Sequence, residues 1–68
     1  MRRLSIKRLK ISEVAAQNLG WTMRQVADAL EVDHQSVMYW NQGRSRPRLE
    51  TLLALCKLLE CQLDELVE

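Results

Sequence analysis

One histidine, two cysteines, one proline, two glycines and no long apolar run leave little room for most kinds of protein chemistry. His34 stands far from Cys56 and Cys61, and the two cysteines form no CxxC, so the ligand spacing of a zinc site is missing. Both cysteines fall on apolar positions of a helical pattern and read as small buried hydrophobes, with no metal or redox role. The chain has no Ser/His/Asp or Cys/His constellation, no glycine-rich phosphate loop and no paired carboxylates in an apolar setting. It is therefore expected not to be an enzyme, to use no cofactor, and to offer no legible pocket for a small-molecule ligand. No apolar run nears the roughly 18 residues that cross a bilayer, and the N-terminus lacks the apolar core of a secretory signal. A soluble, cytoplasmic protein with no membrane partner is expected.

What remains is short and amphipathic. Sixty-eight residues make one domain with a minimal core, which excludes a sandwich or a doubly wound sheet. The 47% hydrophobic content leaves apolar residues to spare for an interface, so a homodimer is expected. The net charge of +1 hides a strong asymmetry. Residues 1–48 carry nine Lys/Arg against four Asp/Glu, or +5, whereas residues 49–68 carry Lys57 against five acids, or −4. Positive potential is thus concentrated in the first two thirds of the chain.

Within that basic portion, residues 22–41, TMRQVADALEVDHQSVMYWN, read as two short helices joined by a tight corner. Thr22 and Gln25 have the spacing of a capping box, and Trp21 and Val26 that of a hydrophobic staple. Val26, Ala27 and Leu30 then give one narrow apolar stripe. Asp33 should cap a second helix with its carboxylate, and Val32 with Val37 repeats the staple. Val37 and Trp40 can face the first helix, with the small Ala27 permitting a close crossing. His34, Gln35, Met38 and Tyr39 point elsewhere. Imidazole, amide and phenol groups near a helix start can bond base edges in a major groove, although a plain solvated face has the same composition.

Residues 1–10, MRRLSIKRLK, hold five of the ten basic residues, among them Arg2, Arg3, Lys7 and Arg8. They read as a flexible basic arm touching phosphate or a minor groove, a short edge strand for dimer pairing, or an extension of the first helix; an extended arm or strand is favoured, against a plain solvated charge run. The domain proper is expected over 11–68. Ser12 should cap a first helix that Gly20 ends, with Ile11, Val14, Ala15 and Leu19 inward and Gln17 and Asn18 outward. After Trp40 comes NQGRSRPR, where Gly43 and Pro47 stop the helix and Arg44, Arg46 and Arg48 crowd one loop. Guanidinium groups beside a reading helix suit phosphate contacts, to which Asn41, Gln42 and Arg24 can add. Over 49–59 the residues Leu49, Leu52, Leu53, Cys56 and Leu59 mark a core stripe. Leu55, Leu58, Leu63, Leu66 and Val67 are left as dimer-interface candidates, or as the residues that complete the monomer core. A short acidic helix closes the chain.

The order of these features resembles the Cro and lambda-repressor-like helix-turn-helix DNA-binding domains over about residues 20–68. The match runs through Thr22, Val26, Ala27, Leu30, Val32, Val37, Trp40, Gly43, Arg44 and Pro47. It continues through Leu49, Glu50, Thr51 and Leu52 to Leu59, Leu63, Asp64, Glu65 and Leu66. The resemblance implies an all-α, five-helix bundle and sequence-specific binding of double-stranded DNA by a homodimer, with helix 33–41 in the major groove. It further implies transcription regulation, by repression at a promoter. A protein-interaction module of antitoxin or accessory-subunit type is the competing expectation. The chain departs from the family at three places: Glu31 and Glu60 stand where glycine is usual, and Met23 stands for a glutamine. Either the glutamates adopt positive φ, at about 1 kcal/mol each, or the turns differ.

Overall fold

The computed structural model describes residues 6–68. Among them are five helices: α1 (Ile11–Leu19), α2 (Met23–Leu30), α3 (His34–Gln42), α4 (Leu49–Leu58) and α5 (Leu63–Leu66). The fold is all-α, as expected. The one β-type pairing among these residues is an isolated antiparallel bridge between Leu9 and Val67.

The capping signal at α2 is realised. The Thr22 hydroxyl oxygen accepts the Gln25 N–H and the Gln25 side chain accepts the Thr22 N–H, closing the capping box. Val26 and Ala27 are buried against α3, and Ala27 is 1% exposed, so the small side chain lies where the two helices press together. At the other end Glu31 takes up φ 59°, its N–H bonding the Asp28 carbonyl while Val32 N–H bonds that of Ala27. These paired bonds are a Schellman stop, the termination that glycine usually provides. Glu60 does the same after α4 at φ 55°, with Cys61 N–H on the Cys56 carbonyl. The first of the two alternatives therefore holds. Glu31→Gly should raise stability by about 1 kcal/mol in urea unfolding, since the exposed side chain contributes little to offset the left-handed backbone; an unchanged midpoint would mean that Glu31 is not strained.

Two helix starts differ from the sequence reading. Helix α1 begins at Ile11, and the backbone N–H of Ser12 is taken by Asn41 Oδ1 at 3.0 Å from the far end of α3. A side chain distant in sequence thus satisfies the helix start that Ser12 was expected to cap. Asp33 occupies the N-cap position of α3 but its carboxylate makes no capping hydrogen bond. At the other end of α1, Asn18 donates to the Leu59 carbonyl at 2.8 Å and so caps the last turn of α4.

Helix α4 is rotated from the expected phase. Leu55 and Leu59 are fully buried, Leu52, Cys56 and Leu58 are packed partway against the core, and Leu49 and Leu53 are 67% and 50% exposed. Leu55 and Leu66, offered as interface residues, belong to the core at 0% exposure. Leu58 and Val67 are half-buried against it, and of that set Leu63 is the residue most turned outward, at 41%. Burial, with help from the neighbouring Cys56 and the Glu65 carboxylate, pushes the Cys61 thiol up to about 11, so it stays protonated at neutral pH.

Residues 6–10 precede α1 without forming a helix and are fastened into the globule. Lys7 N–H donates to the Glu68 carbonyl at 2.7 Å, Glu68 N–H to that of Arg8 at 3.0 Å, and Lys10 N–H to that of Leu66 at 2.7 Å. Leu9 is 4% exposed and its N–H donates to the Trp40 carbonyl at 3.2 Å, at the end of α3. The core therefore extends before residue 11, and this part of the N-terminal stretch pairs with the chain's own C-terminal residues. Arg2 and Arg3 lie outside the described residues.

Candidate nucleic-acid interface

Helix α3 divides by burial as its pattern requires. Val37 and Trp40 are buried against α1 and α2, while Gln35 is exposed and His34, Met38 and Tyr39 are half-buried on the remaining surface. His34 and Gln35 are the first two residues of the helix, where side chains reach furthest beyond its end. The Gln35 amide nitrogen donates to the Tyr39 hydroxyl at 2.7 Å, one turn on. Sequence reasoning treated these two side chains singly, yet an amide and a phenol four apart on a helix already mark a pair that can meet.

Beyond α3 the chain turns at Gly43, φ 79°, where Arg44 N–H bonds the Tyr39 carbonyl at 2.9 Å in another Schellman stop. Here glycine is required twice over. The conformation is left-handed, and a Cβ would run into the Lys7 carbonyl oxygen of the N-terminal segment. Arg44 lies over the Tyr39 ring, 5.6 Å from the guanidinium carbon to the ring centre, within cation–π range. Arg46 donates to the Ile6 carbonyl at 3.1 Å, and Arg48 precedes α4 as its N-cap residue. All three arginines are exposed, and no acidic residue falls between Asn41 and Leu49, so the loop forms a basic edge beside α3.

The remaining basic candidates are distributed less evenly. Arg24 is exposed in the first turn of α2 and Gln42 is exposed at the end of α3. Asn41 is half-buried, with its carbonyl oxygen engaged by Ser12. Lys7 is exposed, but Arg8 is tied down by an ion pair to Glu13 and another to Glu68 at 3.0 Å. Burial pushes the Glu13 carboxyl up, yet the Ser12 hydroxyl, its own backbone N–H and Arg8 together hold it below the usual range. The structure thus sets His34, Gln35, Met38 and Tyr39 along α3, joins Gln35 to Tyr39 and Tyr39 to Arg44, places Arg46 and Arg48 on the adjoining loop, and withdraws Arg8 into internal pairing.

Two helices at a close corner, the second outward-facing and followed by an arginine-rich loop, define a helix-turn-helix unit. A helix-turn-helix family model matches residues 13–66, and the chain belongs to that family, in its Cro/C1-type branch. Among curated proteins, the chain is 44% identical over 45 residues to the HTH-type transcriptional regulator DicA of Escherichia coli (strain K12), a stretch that covers 66% of this chain and 33% of that protein. The chain therefore matches about a third of the relative's length. No solved structure matches it.

Proposed function

We propose that the protein binds double-stranded DNA sequence-specifically as a homodimer, with α3 in the major groove, and regulates transcription by occupying a promoter. The observation that carries this reading is the exposed amide of Gln35 at the start of α3, with Arg44, Arg46 and Arg48 on the loop that follows. Base edges would be met by His34, Gln35 and Met38, with Tyr39 beside Gln35 on the same face, and phosphates by Arg24, Gln42, Arg44, Arg46 and Arg48. Gln35 has the best chemistry for discrimination, because a carboxamide can bond adenine at two points for roughly 1–3 kcal/mol. The exposed Leu49 and Leu53, one turn apart on α4, with Leu63 on α5, supply the apolar surface for a second copy. Homology to a protein named as a transcriptional regulator supports the regulatory part of the proposal.

Titrations of labelled duplex followed by fluorescence anisotropy separate the two kinds of contact. Gln35→Ala should flatten sequence preference while affinity for random duplex falls far less; equal losses on cognate and random duplex would remove Gln35 from the reading set. Arg44→Ala should weaken binding to every sequence and lower the salt slope by about one unit, and an unchanged slope would place the clamp elsewhere. If the unaltered protein binds no random duplex even at low salt, the competing role as a protein-interaction module takes precedence.

A further inference from the structure

The outward face of α3 and the loop that follows it carry a linked series of groups, glutamine to tyrosine to arginine. Gln35 Nε2 donates to Tyr39 Oη at 2.7 Å, the Tyr39 ring lies under the Arg44 guanidinium, and the Arg44 N–H is held by the Tyr39 carbonyl at 2.9 Å. Tyr39 is half-buried whereas Gln35 is exposed, so the better-fixed side chain is the acceptor.

A lone exposed glutamine on a helix samples many rotamers and both faces of its amide, and binding must freeze one of them. Its carboxamide carries one carbonyl and two N–H groups. Two-point recognition of adenine uses the carbonyl oxygen, which accepts from N6, and the N–H on the same side, which donates to N7. The second N–H points away from the base, and it is the one a neighbouring hydroxyl can accept without competing for the purine.

We infer that Tyr39 is a positioning residue for Gln35: its hydroxyl accepts the amide proton that adenine leaves unused, and its ring links that orientation to the Arg44 phosphate clamp. The ligand feature selected is an acceptor beside an amino donor, the adenine edge. Guanine is disfavoured, because its O6 and N7 are both acceptors and the fixed carbonyl oxygen faces O6. The inference rests on the assignment of α3 as the DNA-facing helix.

The test is a double-mutant cycle on the full chain. The cognate duplex is first selected from a random library, and the base pair read by Gln35 is taken as the one whose preference Gln35→Ala abolishes. That adenine is then replaced by guanine, with its partner, and the affinity ratio of the two duplexes is measured for the unaltered protein, Tyr39→Phe, Gln35→Ala and the double variant. Tyr39→Phe keeps the ring under Arg44 and removes only the hydroxyl. It should lower discrimination at that base pair by about five-fold, leave discrimination at other positions in place, and have no further effect once Gln35 is alanine. Additive losses, or a loss spread over all positions, would overturn the inference and make Tyr39 an independent contact. Should the unaltered protein select no sequence over random duplex, the DNA-reading assignment itself falls and the inference with it; selection combined with additivity removes the inference alone.

Discussion

Gly43→Ala should lower the stability of the domain by about 3 kcal/mol, whereas Gly20→Ala should cost about 1 kcal/mol. Both glycines end helices at positive φ, 79° and 67°, so the backbone penalty is shared. They differ in what surrounds them. A Cβ at Gly20 meets open space, while one at Gly43 collides with the Lys7 carbonyl oxygen and crowds the Arg8 side chain. Relief at Gly43 requires residues 6–10 to move, and these are bonded to Trp40 and to residues 66–68. Their displacement would also release Arg46 from the Ile6 carbonyl. Urea unfolding followed by far-ultraviolet circular dichroism gives both values, and equal shifts for the two variants would show that the N-terminal segment does not press on the α3 terminus in solution.

The second large effect separates two leucines that sequence alone ranks the wrong way round. Leu55→Ala should cost about 3 kcal/mol, within the range of truncations that leave a cavity in a packed core, because Leu55 is fully buried. Leu53→Ala, at a half-exposed position, should change the stability of the isolated protomer by less than about 0.5 kcal/mol. Under the proposed homodimer its effect appears instead in self-association, read by sedimentation over a dilution series. A larger stability loss at Leu53 than at Leu55 would return α4 to the phase expected from its leucine spacing.

That reversal shows where the sequence ceased to be informative. From 49 to 59 the chain has leucine at 49, 52, 53, 55, 58 and 59, so almost any rotation of the helix finds an apolar stripe. Only tertiary packing, with α5 lying against α4, selects the face carrying Leu55 and Leu59. Helix α2 was legible for the opposite reason: its stripe of Val26, Ala27 and Leu30 stands out in one phase, and Thr22 and Gln25 mark its start by chemistry that acts within four residues. Glu31 and Glu60 were legible as positions under tension because the family pattern has glycine there. Asn41 on Ser12 joins residues 29 apart, and the Lys7 to Glu68 pairing joins backbone groups that any sequence possesses, so neither leaves a local signature. At the proposed interface the outward set on α3 followed from periodicity, but the withdrawal of Arg8 and the Gln35 to Tyr39 bond depend on side-chain placement that spacing permits without requiring.

Helix α1 offers no side chain to the proposed interface, yet it is pinned at both extremities: Asn41 fastens its start to α3, and Asn18 fastens its finish to the last turn of α4. These two bonds tie the C-terminal part of α3 to the end of α4 through α1. In the proposed pair of protomers joined through the outer leucines of α4, that tie would contribute to how far each α3 stands from the axis, and hence to the spacing of the two half-sites.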